Sequence, residues 1–117
     1  MNLRQFRPYL ERDLYCPHCA ETEDLVPHHR KNRGAGGSKL PDRPSNILVV
    51  CSTYNMLMES DAKVAELARL WGHKLRRGDD PALVPVFERM TSSWWLLDDE
   101  FRRVRTDSPD GKPKYSF

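Results

Sequence analysis

Residues 16–59 read CPHCAETEDLVPHHRKNRGAGGSKLPDRPSNILVVCSTYNMLME, and the order of features in this stretch decides the fold. Cys16-Pro-His-Cys19 is a tight knuckle turn, and Leu25 to His29, apolar at its start, is consistent with a short strand. Residues 30–45 contain Gly34, Gly36, Gly37, Pro41 and Pro44, too many breakers for a regular element. Ile47-Leu48-Val49-Val50 is apolar and rich in β-branched residues, which predicts a buried strand. A helical pattern then takes over: Val64, Leu67, Ala68, Trp71 and Leu75 recur at spacings of three and four, the stripe of an amphipathic helix. That segment starts at Ser60 or Asp61, or continues a helix begun near Ser52, and Gly78 is its expected stop. The order is knuckle, strand, basic glycine loop, strand, helix.

Working outward, residues 2–15 are an arm or a short helix, and their pattern does not discriminate. Downstream, Asp80-Pro81 resembles a cap followed by proline at a first helical position. Trp94 to Leu97 and Phe101 to Val104, separated by Asp98-Asp99-Glu100, predict a hairpin. At 117 residues there is room for a single domain, with a core over about 14–76, an extension over about 77–105 and a polar tail over 106–117. A core this small commonly needs a metal, disulfides or a partner. Three cysteines, an odd number that includes a Cys-x-x-Cys pair, fit a metal site better than a disulfide framework. No apolar run approaches the roughly 18 residues of a membrane span. The charged N-terminus lacks the apolar middle of a signal peptide, so a cytoplasmic setting without membrane contact is expected. Net charge is only +2, yet from His28 to Arg43 five cations (Arg30, Lys31, Arg33, Lys39 and Arg43) face one acid, Asp42. Such a loop suits phosphate, although solvated loops share the composition.

The pieces CPHC, VPHHR, GAGGS, RPSNILVVC and YNMLME, in this order, resemble the HNH endonuclease family. The likeness covers Cys16 to Glu59 and is silent on residues 77–117. It implies an α+β fold with a ββα-metal, treble-clef-like core, which the residue patterns above extend by a long helix and a C-terminal β-hairpin. It is closest to the branch in which Asn replaces the last His, as in intron-encoded homing enzymes and the HNH domain of CRISPR effector nucleases. The likeness implies His29 as general base, His28 and Asn55 as ligands of one divalent cation, and Asn46 as the residue holding the loop that orients the base. Asn46 could equally be a turn-closing residue. Glu59 lies one helical turn after Asn55, where colicin-type DNases carry a second His ligand; it is an extra ligand or a solvated helix glutamate. Magnesium, with manganese as substitute, suits a site of His, Asn, Glu, water and phosphate. Small HNH proteins of phages, some encoded beside packaging genes, are similar. The implied partners are DNA and a protein such as the packaging machinery.

These residue types make chemical sense for phosphodiester hydrolysis. An imidazole, with a reference pKa of about 6.5, can take a proton from water near neutral pH. A divalent cation neutralises charge on the phosphate and on the leaving oxygen. Arg30, directly after the His pair, is the first choice to contact phosphate, and the loop glycines allow close backbone approach.

One departure stands out. The family often carries a structural zinc on two Cys-x-x-Cys pairs, and the second pair here reads Cys51-Ser-Thr-Tyr54. Cys16, Cys19 and Cys51 therefore lack a fourth cysteine. A histidine such as His18 or His73 completes the site, or water or a partner does, or zinc is lost and the thiols are small core groups. His18 is expected to point away from any ion, and His73 to be an ordinary surface residue. Trp71 fits the core stripe, whereas Trp94 and Trp95 should face opposite sides of a strand. Two rivals to the nuclease remain: a non-catalytic zinc-containing nucleic-acid-binding module, and a thiol redox protein, for which the surrounding βαβ pattern is missing.

Overall fold

The computed structural model describes residues 1–31 and 42–109. Arg33, Lys39 and the loop glycines lie outside the described residues. Asn2 opens the first element: its side chain accepts from the Gln5 amide at 2.9 Å, while Gln5 Oε1 accepts from the Asn2 amide at 3.0 Å. Helix α1 follows over Leu3–Asp13 and ends where Leu14 turns left-handed at φ 68°. It sets Phe6 and Tyr9 against Ile47 and Val49. Capping and burial thus make a helix of a stretch whose pattern was neutral.

Strands β1 (Leu25–His29) and β2 (Ile47–Cys51) pair antiparallel, with His28 opposite Leu48 and His29 opposite Ile47. Every β2 residue is buried. Ile47 and Val49 meet α1, whereas Leu48 and Val50 join Cys16, Tyr54, Met58 and Ala68 on the other face. A strand covered on both faces reads as an unbroken apolar run.

The expected long helix is not formed. Two helices of 9 residues each, α2 (Ser52–Ser60) and α3 (Ala62–Leu70), stand in its place. Asp61 separates them: it is extended at φ −123° and its carboxylate accepts from the Lys63 and Val64 amides, capping α3. The stop is Gly72 rather than Gly78. Gly72 adopts φ +74°, and a Cβ there would lie 1.9 Å from the Pro85 carbonyl oxygen, so only glycine fits. Leu75 consequently falls beyond the helix, in the turn that leads away from it.

No helix follows Asp80-Pro81. Asp80 instead builds a turn, its carbonyl accepting from Leu83 and its carboxylate from Ala82. A second sheet has the order β3 (Val86–Glu88), β4 (Ser93–Leu97), β5 (Arg103–Thr106), all antiparallel. The expected hairpin is its β4–β5 pair, while β3 adds a strand too short to show in the sequence. Trp94 packs with Phe87 and Trp71, and Trp95 turns outward beneath the Arg103 guanidinium at 3.9 Å, on opposite faces as expected. Val86 and Leu97 join the same cluster as Cys16 and Tyr54, so the extension shares the core of the ββα unit. Among the described residues no helix is long and apolar enough to cross a membrane.

Candidate functional site

The end of β1, the middle of α2 and the turn after α3 enclose a cleft of about 270 Å³ bordered by His28, His29, Asn55, Glu59 and Lys74. His28 is buried, and its two ring nitrogens face different neighbours. Nε2 lies 2.8 Å from the His73 carbonyl oxygen, which can only accept, so Nε2 carries the proton. Burial, partly offset by the bond to the His73 carbonyl, pulls the His28 pKa down to about 4, and the ring is neutral. Its Nδ1 therefore presents a lone pair, 3.2 Å from Asn55 Oδ1. Two lone pairs converging at that separation suit a small cation bound by both, at about 2.1 Å from each. The donor set thus fits the divalent ion implied by the family likeness. A backbone carbonyl holding the far ring nitrogen is the usual way a ligating imidazole is oriented.

His29, one residue on, borders the same cleft and a second groove. Its Nε2 lies 3.1 Å from Asp42 Oδ1, so the carboxylate accepts and Nδ1 is left to take a proton. Asp42, which the sequence offered only as the lone acid of a basic loop, is thereby an orienting partner. Fully buried Asn46 grips the chain just past the His pair. Its Oδ1 accepts from the Lys31 amide at 2.9 Å and its Nδ2 donates to the Lys31 carbonyl at 3.2 Å. Both bonds fall on the residue directly after the His pair.

Glu59 is exposed at the rim, 3.7 Å from Lys74 Nζ. Lys74 also donates to the Met58 carbonyl. It is the cation that sequence reading passed over, because its neighbour His73 looked like surface.

The three described basic residues of the loop, Arg30, Lys31 and Arg43, are bonded within the chain. Arg30 is 1% exposed and donates to four carbonyls, those of Gly72, Ser45, Pro81 and Val84, so its guanidinium faces the interior rather than a phosphate. Arg43 is tied to Asp99 at 2.8 Å and anchors the β4–β5 turn. Lys31 donates to the Asp79 carbonyl. Arg33 and Lys39 lie outside the described residues.

The cysteines converge. The Cys16, Cys19 and Cys51 sulfurs all lie within 4.8 Å of one another, with Cys19 and Cys51 3.6 Å apart, and the group could hold a metal ion such as zinc. Four sulfurs at about 2.3 Å from a tetrahedral zinc would be about 3.8 Å apart, a close match for that pair. Burial pushes the Cys16 thiol up to about 12 and raises Cys51 as well, so both hold protons that a bound metal would displace. Neither histidine supplies the fourth ligand among the described residues. His18 stacks on Tyr54 with ring centroids 4.2 Å apart. His73 is not a surface residue: it is fully buried, with one nitrogen on the Tyr54 hydroxyl and the other on the Phe87 carbonyl. Burial brings it down to about 3. Nothing in the spacing of its neighbours announced this, since the turn that buries it depends on Gly72.

In comparisons with known proteins, no family model, no curated protein and no solved structure matches this chain.

Proposed function

We propose that this chain is a metal-dependent endonuclease that hydrolyses phosphodiester bonds of DNA, using His29 as general base and one magnesium or manganese ion. The observation that carries this reading is the facing pair of His28 Nδ1 and Asn55 Oδ1, 3.2 Å apart, in the cleft that His29 also borders. His28 and Asn55 would hold the ion, and Glu59, on the rim of the same cleft, would add a direct or water-mediated contact. When bound, the ion supplies Lewis-acid stabilisation of the phosphate and the leaving oxygen. His29 accepts the proton of the attacking water at Nδ1, while Asp42 at Nε2 holds the ring and favours the imidazolium that forms. Lys74, which also borders the cleft, offers a positive charge to the phosphate. Asn46 keeps the His29 backbone in register by clamping Lys31.

The experiment is nicking of supercoiled plasmid by wild type and His29→Ala with either ion. Expected are ion-dependent nicking by wild type and a loss of at least 100-fold in the variant, in line with what general bases contribute. Equal rates in the two proteins would remove His29 from the mechanism. A second reading is favoured by the cysteine cluster: a zinc-containing module that binds nucleic acid without cutting it. Salt-sensitive binding without cleavage in the same assay would select it.

A further inference from the structure

Tyr54 stands where a fourth cysteine would complete the second Cys-x-x-Cys pair, and its hydroxyl is bonded to His73. It is 2% exposed, its backbone amide donates to Cys51 Sγ at 3.3 Å, and its ring stacks on His18 of the knuckle. Its hydroxyl lies 2.6 Å from His73 Nδ1. The opposite nitrogen of that ring, Nε2, lies 2.7 Å from the Phe87 carbonyl oxygen and must be the donor there. Among the described residues no carboxylate is hydrogen-bonded to this ring, which is fully buried and neutral, so Nδ1 is bare and accepts from Tyr54. The carbonyl of the same His73 accepts from His28 Nε2 at 2.8 Å. One unbroken path therefore runs from the cysteine cluster, through the Tyr54 hydroxyl and the His73 ring and backbone, to the imidazole in the cleft.

We propose that Tyr54 and His73 are positioning residues for the cleft, locking His28 with its Nδ1 lone pair aimed at Asn55. A tyrosine at this position adds no sulfur to the cysteine cluster and gives the cleft a rigid strut. His73 cannot rotate without breaking its bonds to Tyr54 and Phe87, and its carbonyl cannot shift freely because its own amide is bonded to the Ala68 carbonyl at 2.8 Å. A His28 ring released from that carbonyl could exchange to the other tautomer, with a proton on Nδ1, and could then no longer ligate. The part of the proposal that concerns ion affinity rests on the cleft being a divalent-cation centre. The part that concerns the tautomer of His28 stands without it.

Tyr54→Phe removes only the hydroxyl. Two measurements follow on wild type and on this variant: nitrogen-15 spectra of the histidine rings, and calorimetric titration with manganese. In wild type, His28 should show one protonated nitrogen, Nε2. In Tyr54→Phe it should become a mixture of tautomers, with manganese affinity weakened by about tenfold, as when the outer partner of a ligating histidine is lost. His73→Gln with Tyr54 intact, whose amide can donate to Phe87 and accept from Tyr54, should keep both readouts near wild type. Ring signals of His73 in the unmutated chain should also move when magnesium is added. A folded Tyr54→Phe with the wild-type His28 tautomer and manganese affinity overturns the proposal. So does a magnesium titration of wild type that shifts His28 and leaves His73 still, which decides the matter should the variant not fold. If wild type binds no manganese, the cation-centre reading fails, and the His28 spectrum of the variant still accepts or rejects the strut.

Discussion

Replacing Arg30 by alanine should unfold the protein rather than weaken a phosphate contact. Its guanidinium donates to the carbonyls of Gly72 at 2.9 Å, Ser45 at 2.8 Å, Pro81 at 2.9 Å and Val84 at 2.7 Å. Burial lowers its pKa to about 9, which leaves it cationic at neutral pH. These four acceptors belong to the turn after α3, the entry to β2 and the approach to β3, so one side chain ties the two sheets together. A buried acceptor stripped of its donor costs about 1–3 kcal/mol. Even at the low end the four amount to about 4 kcal/mol. A domain of this kind is stable by only about 5–15 kcal/mol. Urea denaturation followed by tryptophan fluorescence is the assay, since Trp71 and Trp94 are both buried. Arg30→Ala should shift the midpoint drastically or yield no folded baseline. Arg30→Lys should recover only part of the loss, because three ammonium donors cannot span the guanidinium fork. A folded Arg30→Ala within about 1 kcal/mol of wild type that selectively loses DNA binding would refute the reasoning and return Arg30 to the phosphate.

Asn46→Ala releases both bonds to the Lys31 backbone, which should cost about 2 kcal/mol in thermal melts and slow any cleavage; unchanged stability would deny the clamp. Acid should destabilise the fold early. His28 and His73 stay neutral in the folded chain down to about 4 and about 3, whereas unfolded rings protonate as pH falls through about 6.5. The unfolded state then binds more protons, so this stability is complete above about 6.5 and is lost towards pH 4 at up to about 2.7 kcal/mol per unit. A flat melting temperature between pH 7 and 5 would contradict it. Protein purified without chelators should contain about one zinc equivalent and melt lower after chelation, and metal analysis finding none would favour thiols as core. Lys74→Ala should flatten the salt dependence of DNA binding by a slope of about one; an unchanged slope would remove it from the phosphate path.

What was legible in the sequence is what depends on local pattern. The apolar run at Ile47–Val50, the knuckle cysteines and the paired tryptophans each occupy the place their composition predicts. The start of α3 at Asp61 was one of the two readings the sequence left open, because Asp61 is both a tolerable helix residue and an excellent cap; the expected length failed at Gly72. The choice at Asp61 is made by tertiary packing, not by propensity. Arg30 looked like a phosphate ligand because charge is visible in a sequence and burial is not. The four carbonyls that satisfy it come from segments 15 to 54 residues away. His73 was hidden for the same reason: its partners Tyr54 and Phe87 are 19 and 14 residues distant and carry no mark of the contact. The pairing of His28 with Asn55 was suggested by the family likeness and not by local pattern: the register sets the start of α2 beside Leu25, and the two side chains meet at 3.2 Å because α2 packs back over the hairpin.

The central claim is that His28 and Asn55 form a divalent-cation centre. Diffraction from crystals soaked in manganese, recorded at the manganese absorption edge, tests it directly. The account predicts an anomalous peak between His28 Nδ1 and Asn55 Oδ1, at about 2.1–2.3 Å from each, with His28 Nε2 still on the His73 carbonyl. Crystals that show no peak in the cleft, with Asn55 turned so that its Nδ2 donates to His28 Nδ1, would contradict it.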